Sequence, residues 1–223
     1  MRALKPLMVA LLIGLSLLPA PAAVAEGGGN GRLFSPHSEP YGRSYAEWFA
    51  EYQEWYNEIP APVNPVFEPD SPHNCDLEDG KVVFLGGPTD CKIPKHKAVA
   101  LGGAGWECST AEGLGDTYAE LRRCAVENFT RDFDPDVHQF RIWIDGELLR
   151  HPRRWTFLTP IPSDLINFPE DNIWDAEPGP SKSVSKGFFW ILRPLSEGTH
   201  TIKVKVHDEA FGDFTLIYKL RVG

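Results

Sequence analysis

The chain has 223 residues, of which 42% are hydrophobic, 12% aromatic and 24% charged. These proportions are typical of a globular protein and exclude a wholly disordered chain, a collagen and a coiled coil. The formal net charge of −9 disfavours a nucleic-acid partner, because phosphate binding requires a basic face.

The N-terminal segment has the features of a secretory signal peptide. Arg2 and Lys5 precede an apolar run over residues 7–18, and residues 23–25 (Ala-Val-Ala) form a small-x-small cleavage pattern. A membrane anchor is the alternative, but the run falls short of the roughly 20 apolar residues that cross a bilayer. We expect residues 1–25 to be removed, the mature protein to be secreted or extracytoplasmic, and no integral membrane segment to remain.

The segment that follows predicts an arm and then a helix. Residues 26–42 are rich in glycine and proline and are expected to form a flexible arm before a single β-rich domain over residues 43–223. Ser44 and Glu47 form a capping box, and Pro60 stops the predicted helix.

The predicted first helix carries an aromatic face. Its apolar side chains recur at helical spacing: Tyr45, Trp48, Phe49, Tyr52, Trp55, Tyr56 and Ile59. Such a face can bind a ligand or pack against the rest of the protein, and the continuous periodicity favours packing.

The remainder of the chain predicts strands and a second helix. A second capping box, Thr117 with Glu120, opens that helix. Strands are expected near residues 81–85, 97–101, 138–144, 154–158, 187–193, 199–206 and 214–222. The pattern predicts a mainly β fold, an antiparallel β-sandwich of jelly-roll or immunoglobulin-like type, with an N-terminal amphipathic helix and a second helix pinned by a disulfide.

Four cysteines predict two disulfides in an oxidising compartment. Cys75 with Cys91 and Cys108 with Cys124 close two loops of equal length, and short loops close most easily. A zinc site built from the four thiolates is the alternative, but no Cys-x-x-Cys pair is present to support it.

The sequence contains none of the common catalytic or cofactor-binding motifs, so no cofactor is expected. Asp132, Asp134 and Asp136 alternate in a short segment and are a candidate calcium loop, with a solvated acidic turn as the alternative. They fail the EF-hand pattern, because Val137 and Trp143 stand where glycine and glutamate are required.

Seven tryptophans suggest a ligand surface. Trp143 lies opposite the apolar face of its predicted strand, so we expect it to project outward, where it could stack on a sugar ring. The alternative is that the first helix covers this face with its own aromatic side chains.

Several motifs resemble a family of uncharacterised secreted bacterial proteins. The resemblance rests on Ser44–Trp48 (SYAEW), Glu107–Gly113 (ECSTAEG), Asp145-Gly146, Pro194–Ile202 (PLSEGTHTI) and the four cysteines. It covers nearly the whole mature chain and implies a secreted protein, but it implies no activity, substrate or catalytic residue.

Together these features predict an extracytoplasmic binding or structural module, with a polysaccharide or another envelope component as the expected partner. A secreted hydrolase acting on a glycan or an ester is the alternative function. An open aromatic platform would favour binding, whereas a cleft with two facing carboxylates would favour hydrolysis.

Overall fold

The computed structural model of the protein describes residues 29–133, 140–208 and 212–223. Two α-helices lie in these ranges, α1 (Tyr45–Glu58) and α2 (Tyr118–Asp132). The strands in them are β1 (Cys75–Glu78), β2 (Val82–Leu85), β3 (Asp90–Ile93), β4 (Ala98–Ser109), β5 (Phe140–Ile144), β6 (Glu147–Leu148), β7 (Thr156–Leu158), β8 (Ile166–Phe168), β9 (Gly179–Ser181), β10 (Ser183–Leu192), β11 (Gly198–Asp208) and β12 (Gly212–Val222). The predicted signal peptide, residues 1–25, lies outside the described residues.

The strands form two five-stranded sheets and a separate pair, which confirms the prediction of a mainly β fold. Sheet A has the order β1-β2-β4-β10-β7, sheet B has the order β3-β12-β11-β5-β6, and β8 pairs with β9. The prediction of entirely antiparallel sheets is wrong, because β2 pairs with β4, and β3 with β12, in parallel. After β2 the chain crosses to sheet B as β3 and returns as β4, and this crossover brings β4 parallel to β2.

Strand β4 continues well beyond the strand predicted over residues 97–101, through a run that contains Gly102, Gly103 and Gly105. It pairs with β2 only over Ala98–Leu101, but it remains paired with β10 as far as Ser109. The register shifts between Gly187 and Phe189, which marks a bulge opposite the glycine-rich part of β4. Cross-strand pairing with β10 therefore overrides the local signal of the glycines.

Both helices begin at the predicted capping boxes. At α1 the Ser44 hydroxyl accepts from the Glu47 backbone N–H, while the Glu47 carboxylate accepts from the Ser44 N–H. Thr117 and Glu120 make the same reciprocal bonds at α2. These bonds satisfy N–H groups that a helix start otherwise leaves without partners.

The aromatic face of α1 packs on sheet A, as predicted. The ring centroids of Tyr52 and Phe84 are 5.3 Å apart, and those of Phe49 and Phe189 are 5.5 Å apart. Glycine at position 102 makes room for the helix, because a Cβ on Gly102 would lie 2.7 Å from the Tyr52 ring.

Helix α2 covers the opposite face of sheet A. Phe188 and Phe189 are neighbours on β10 and therefore point to opposite faces, and Phe188 contacts Phe129 of α2 at a centroid distance of 5.5 Å. The disulfide between Cys108 and Cys124 links β4 to α2, as predicted.

The second predicted disulfide is also confirmed. Cys75 of β1 is bonded to Cys91 of β3, so this bond joins an edge strand of sheet A to an edge strand of sheet B. All four thiols are thus consumed, which excludes the zinc site. Buried side chains of both sheets form one hydrophobic cluster.

The described part of the predicted arm, residues 29–42, packs on the domain. Leu33 is 2% exposed and forms a β-bridge with Leu192 of β10. The backbone N–H of Phe34 donates to the Ile191 carbonyl at 3.0 Å. The segment contains few apolar side chains, but burial of Leu33 and these bonds are enough to hold it against sheet A.

Replacing Trp48 tests the contribution of this packing. Trp48 is fully buried between α1 and sheet A, where its ring contacts Phe84. We expect Trp48→Ala to lower the free energy of unfolding by about 3 to 5 kcal/mol, measured by urea denaturation. Phe67→Ala is the control, because Phe67 is 66% exposed and should cost less than about 1 kcal/mol. Equal losses in both variants would contradict the packing described here.

Candidate functional site

A groove between α1 and the segment after β7 is strongly acidic. Its volume is about 750 Å³, and we call it the acidic groove. Its carboxylates are Glu47, Glu51, Glu54, Glu58, Glu78 and Asp164. Four of them lie on α1 at spacings of three and four residues, which places them on one helix face.

The electrostatics of the acidic groove favour a cationic ligand group. Burial raises the pKa of Glu54, and the negative charges of Glu58 and Asp164 raise it further. Burial likewise raises the pKa of Glu78. Among the residues that line the groove, Arg43 is the one cation, and it is already ion-paired with Glu51. A ligand ammonium or guanidinium would relieve this mutual repulsion.

A second cavity lies between α1, the second half of β4 and the buried face of sheet B. Its volume is about 320 Å³, and we call it the aromatic cavity. Six rings line it: Phe49, Tyr52, Tyr56, Trp106, Trp174 and Tyr218. Along β4 its wall includes residues 102–105, which are glycine except for Ala104. Burial raises the pKa of Tyr218 to about 12, as expected in apolar surroundings.

The two cavities adjoin at Gln53 and Ser185, which line both of them. The Ser185 hydroxyl donates to Gln53 Oε1 at 3.1 Å, so one polar contact between β10 and α1 stands at the boundary. A ligand could therefore place an apolar group in the aromatic cavity and a cationic group in the acidic groove.

Glu107 contributes a buried carboxyl to the lining of the aromatic cavity. It is 9% exposed and lies opposite Ser185 on the paired strand. Its Oε1 accepts from the Ser183 hydroxyl, whereas its Oε2 is buried with no hydrogen-bond partner among the described residues. The Glu112 carboxyl lies beside it and accepts from the Ser109 N–H at 3.1 Å and hydroxyl at 2.7 Å.

This environment favours the protonated form of Glu107. Burial raises its pKa well above the ordinary value, and the neighbouring carboxyl of Glu112 raises it further. In its neutral form Glu107 has an O–H that can donate to the Glu112 carboxylate, which gives the buried carboxyl a partner within the protein. A neutral carboxyl beside a second carboxyl is also an arrangement that can donate a proton.

Ser196, His200 and Asp145 resemble a catalytic triad, but their hydrogen bonds differ from one. Asp145 Oδ2 lies 2.7 Å from His200 Nδ1, and the Ser196 hydroxyl oxygen lies 3.4 Å from Nε2. The backbone carbonyl oxygen of Ser196 is closer to Nε2, at 2.9 Å, and a carbonyl can only accept. The carbonyl oxygen is therefore the nearer partner of Nε2, whereas in a catalytic triad this nitrogen bonds to the serine hydroxyl. The cluster joins the β5–β6 turn to the loop before β11.

Trp143 lies on the outer face of sheet B and is half-buried. The Lys203 ammonium sits 5.3 Å from the centroid of its ring. The expectation that the first helix covers this face is wrong, because α1 packs on sheet A instead. Stacking of a sugar on Trp143 stays a prediction, and it would require Lys203 to leave the ring face.

Of the candidate calcium loop, only Asp132 lies within the described residues. Its carboxylate accepts from the Arg131 guanidinium at 2.6 and 2.7 Å, at the end of α2. Asp134 and Asp136 lie outside the described residues. Nowhere in the described ranges do three His, Cys, Asp or Glu side chains group as metal ligands would. The calcium loop therefore stays a prediction.

Comparisons with known proteins add little. Neither a protein-family model nor a curated protein matches the chain. A solved structure with some similarity is the solution structure of amebosin, at 9% identity over 64% of this chain and 98% of that one. Its TM-score of 0.22 is too low to support an argument about the fold. Neither helix of the described ranges has the length and apolar character needed to cross a membrane.

Glu107 and Glu112 are site residues that no sequence motif predicts. One feature of the sequence points to Glu107, which stands between the apolar residues Trp106 and Cys108. An acidic side chain in such a segment is rarely buried unless it has a partner, so its position indicates a specific role. Its placement beside Ser183 and the aromatic cavity depends on the pairing of β4 with β10, which no local pattern indicates.

Replacing Glu107 should change how stability depends on pH. Below its ordinary pKa of 4.5 both folded and unfolded chains hold the proton. As the pH rises above 4.5, the unfolded chain ionises while the folded chain keeps the proton, so wild type loses stability. Glu107→Gln lacks this loss. The free energy of unfolding of wild type minus that of the variant should therefore fall steadily with rising pH.

Urea denaturation from below pH 4.5 to above neutrality measures this difference. Glu170→Gln, at an exposed position, controls for the removal of one carboxyl group. A constant difference between wild type and Glu107→Gln across the range would show that Glu107 is not held neutral by the fold.

Proposed function

We propose that the protein is a secreted binding module whose ligand occupies the aromatic cavity and reaches into the acidic groove. The observation that carries this proposal is Glu107, a buried carboxyl that lines the aromatic cavity beside the carboxyl of Glu112. The two disulfides are compatible with an extracellular location. Two five-stranded sheets with one shared core support a β-sandwich as its framework.

The lining of the site defines the chemistry of the ligand. Stacked and edge-on rings suit an apolar or aromatic group, and the cavity volume lies in the range of small-molecule sites. Glu107 and the acidic groove suit a hydrogen-bond donor or a cation at its other end. A compact amphiphilic cation satisfies both requirements.

A hydrolase is the second candidate function, and one observation favours it. Glu107 and Glu112 are adjacent carboxyls, and the pKa of Glu107 is raised by burial and by its neighbour. A carboxyl held neutral can act as a general acid toward a glycan or an ester. Both functions share the same residues, so they can be separated by experiment.

Binding of 2-phenylethylamine tests the proposed binding function. Its ring fits the aromatic cavity and its ammonium can bond to Glu107, so calorimetry should show tighter binding than for the neutral 2-phenylethanol or the anionic phenylacetate. Val66→Trp should weaken binding about tenfold or more, because Val66 is 42% exposed and lines the cavity. Leu148→Trp, at an equally exposed position on sheet B, should bind as wild type does.

Equal affinity for the three compounds, or no effect of Val66→Trp, would contradict a site in the aromatic cavity. Retention on a polysaccharide column that Trp143→Ala weakens, with no binding of the amine, would place the binding surface on sheet B instead.

Turnover of a panel of glycans and esters tests the hydrolase. If Glu107 is the acid, Glu107→Gln should abolish hydrolysis while Ser196→Ala leaves it unchanged. Turnover that Ser196→Ala abolishes would instead assign the activity to the Ser196, His200 and Asp145 cluster, against its hydrogen bonding in the structure. No turnover with any substrate would leave binding as the function.

A further inference from the structure

One edge of β4 is open beside the aromatic cavity. Sheet A pairs β2 with β4 only over Ala98–Leu101, and β2 ends at Leu85, where Gly86 and Gly87 begin a turn. From residue 102 to residue 107, β4 has a strand partner on the β10 side alone within the described residues. A longer β2 would continue along this edge of β4. The space that it would occupy is the aromatic cavity.

The hydrogen-bond register shows which backbone groups face this edge. The Thr110 N–H donates to the Lys182 carbonyl at 3.0 Å immediately beyond the last ladder pair, Ser109 with Ser183, so these two residues continue the register of β4 and β10 as a bonded pair. Bonded pairs alternate with non-bonded pairs in an antiparallel ladder. Gly105 and Glu107 are therefore at non-bonded positions, where N–H and C=O point away from β10.

Ser109, the next residue of this set, confirms the alternation. Its N–H donates to Glu112 Oε2 at 3.1 Å, and its carbonyl accepts from the Leu114 N–H at 3.2 Å, both outside the ladder. For the corresponding groups of Gly105 and Glu107, the described residues provide no partner. Two N–H and two C=O groups thus remain available in a row.

The surroundings of the edge favour an extended polypeptide. Alternate side chains of an added strand would point to opposite faces of sheet A. On one side they would meet Glu107, Gln53 and the acidic groove, and on the other the apolar Val204 and Leu216 of sheet B. A segment in which basic and apolar residues alternate matches both sides.

We propose that the open edge of β4 binds an extended segment of a protein partner as an added strand, with basic side chains toward Glu107 and apolar side chains toward sheet B. This inference rests on the proposed binding function and specifies its ligand class. Backbone hydrogen bonds to Gly105 and Glu107 hold the segment, and the alternation of side chains sets its register.

The test measures binding of an end-blocked Lys-Val-Lys-Val-Lys peptide by calorimetry. Two further peptides carry N-methyl groups on one or the other set of alternate residues. Only one set of N–H groups can point toward the edge of β4, so at least one of the methylated peptides should bind about tenfold more weakly than the unmethylated peptide. A Glu-Val-Glu-Val-Glu peptide should not bind, because the acidic groove repels it.

Two variants at one position separate the backbone from the side chain. Gly105→Pro removes the outward N–H without breaking a ladder bond, and it should weaken binding about tenfold. Gly105→Ala meets the same close neighbour, Gly187 Cα at 3.2 Å, but keeps the N–H, so it measures the effect of the added Cβ alone, and Gly105→Pro should bind more weakly than Gly105→Ala. If Gly105→Pro does not fold, the methylated peptides still decide.

The outcomes distinguish the two proposals. Binding of 2-phenylethylamine without binding of the lysine and valine peptide would overturn strand addition and leave the cavity as a small-molecule site. Methylated peptides that both bind as tightly as the unmethylated peptide would do the same. Failure of both the amine and the peptide would overturn the proposed binding function of the aromatic cavity and the acidic groove.

Discussion

The packing of α1 on sheet A is the contact on which the candidate site depends. The helix can approach closely because Gly102 presents no side chain to the Tyr52 ring. Tyr52 then donates from its hydroxyl to the Leu85 carbonyl at 2.9 Å, which fixes the helix to the end of β2. This one approach places Gln53 against β10 and brings the acidic face of the helix over the same end of the sheet. Both cavities therefore follow from where a single helix lies.

Local features of the fold were predictable from the sequence because their causes are local. A capping box needs only two residues three apart, and a short disulfide loop needs only two cysteines in an oxidising compartment. The turn at Asp145 and Gly146 is equally local, since both residues adopt positive φ as a two-residue hairpin requires. The parallel pairs and the length of β4 depend on strands distant in sequence, and these were missed.

The site itself was not predictable for the same reason. Glu107, Glu112 and Ser183 gain their roles from the pairing of β4 with β10. The hydrogen bond from Ser183 to Glu107, for example, joins residues that are 76 positions apart in the sequence. Strand alternation predicts that Trp143 projects outward, but it does not reveal that Lys203 stands opposite it across the ladder. Periodicity identifies faces of elements, but it does not say which faces meet.

The bond between Cys75 and Cys91 has a mechanical consequence. Because it joins β1 of sheet A to β3 of sheet B, it opposes sliding of one sheet over the other at that edge. Shear between packed layers is a common way for a protein to open or narrow an interior space. In this protein the disulfide restrains such sliding of sheet A over sheet B. Entry of a ligand into the aromatic cavity would therefore depend on rotation of side chains at its rim, such as Trp174, which is 42% exposed.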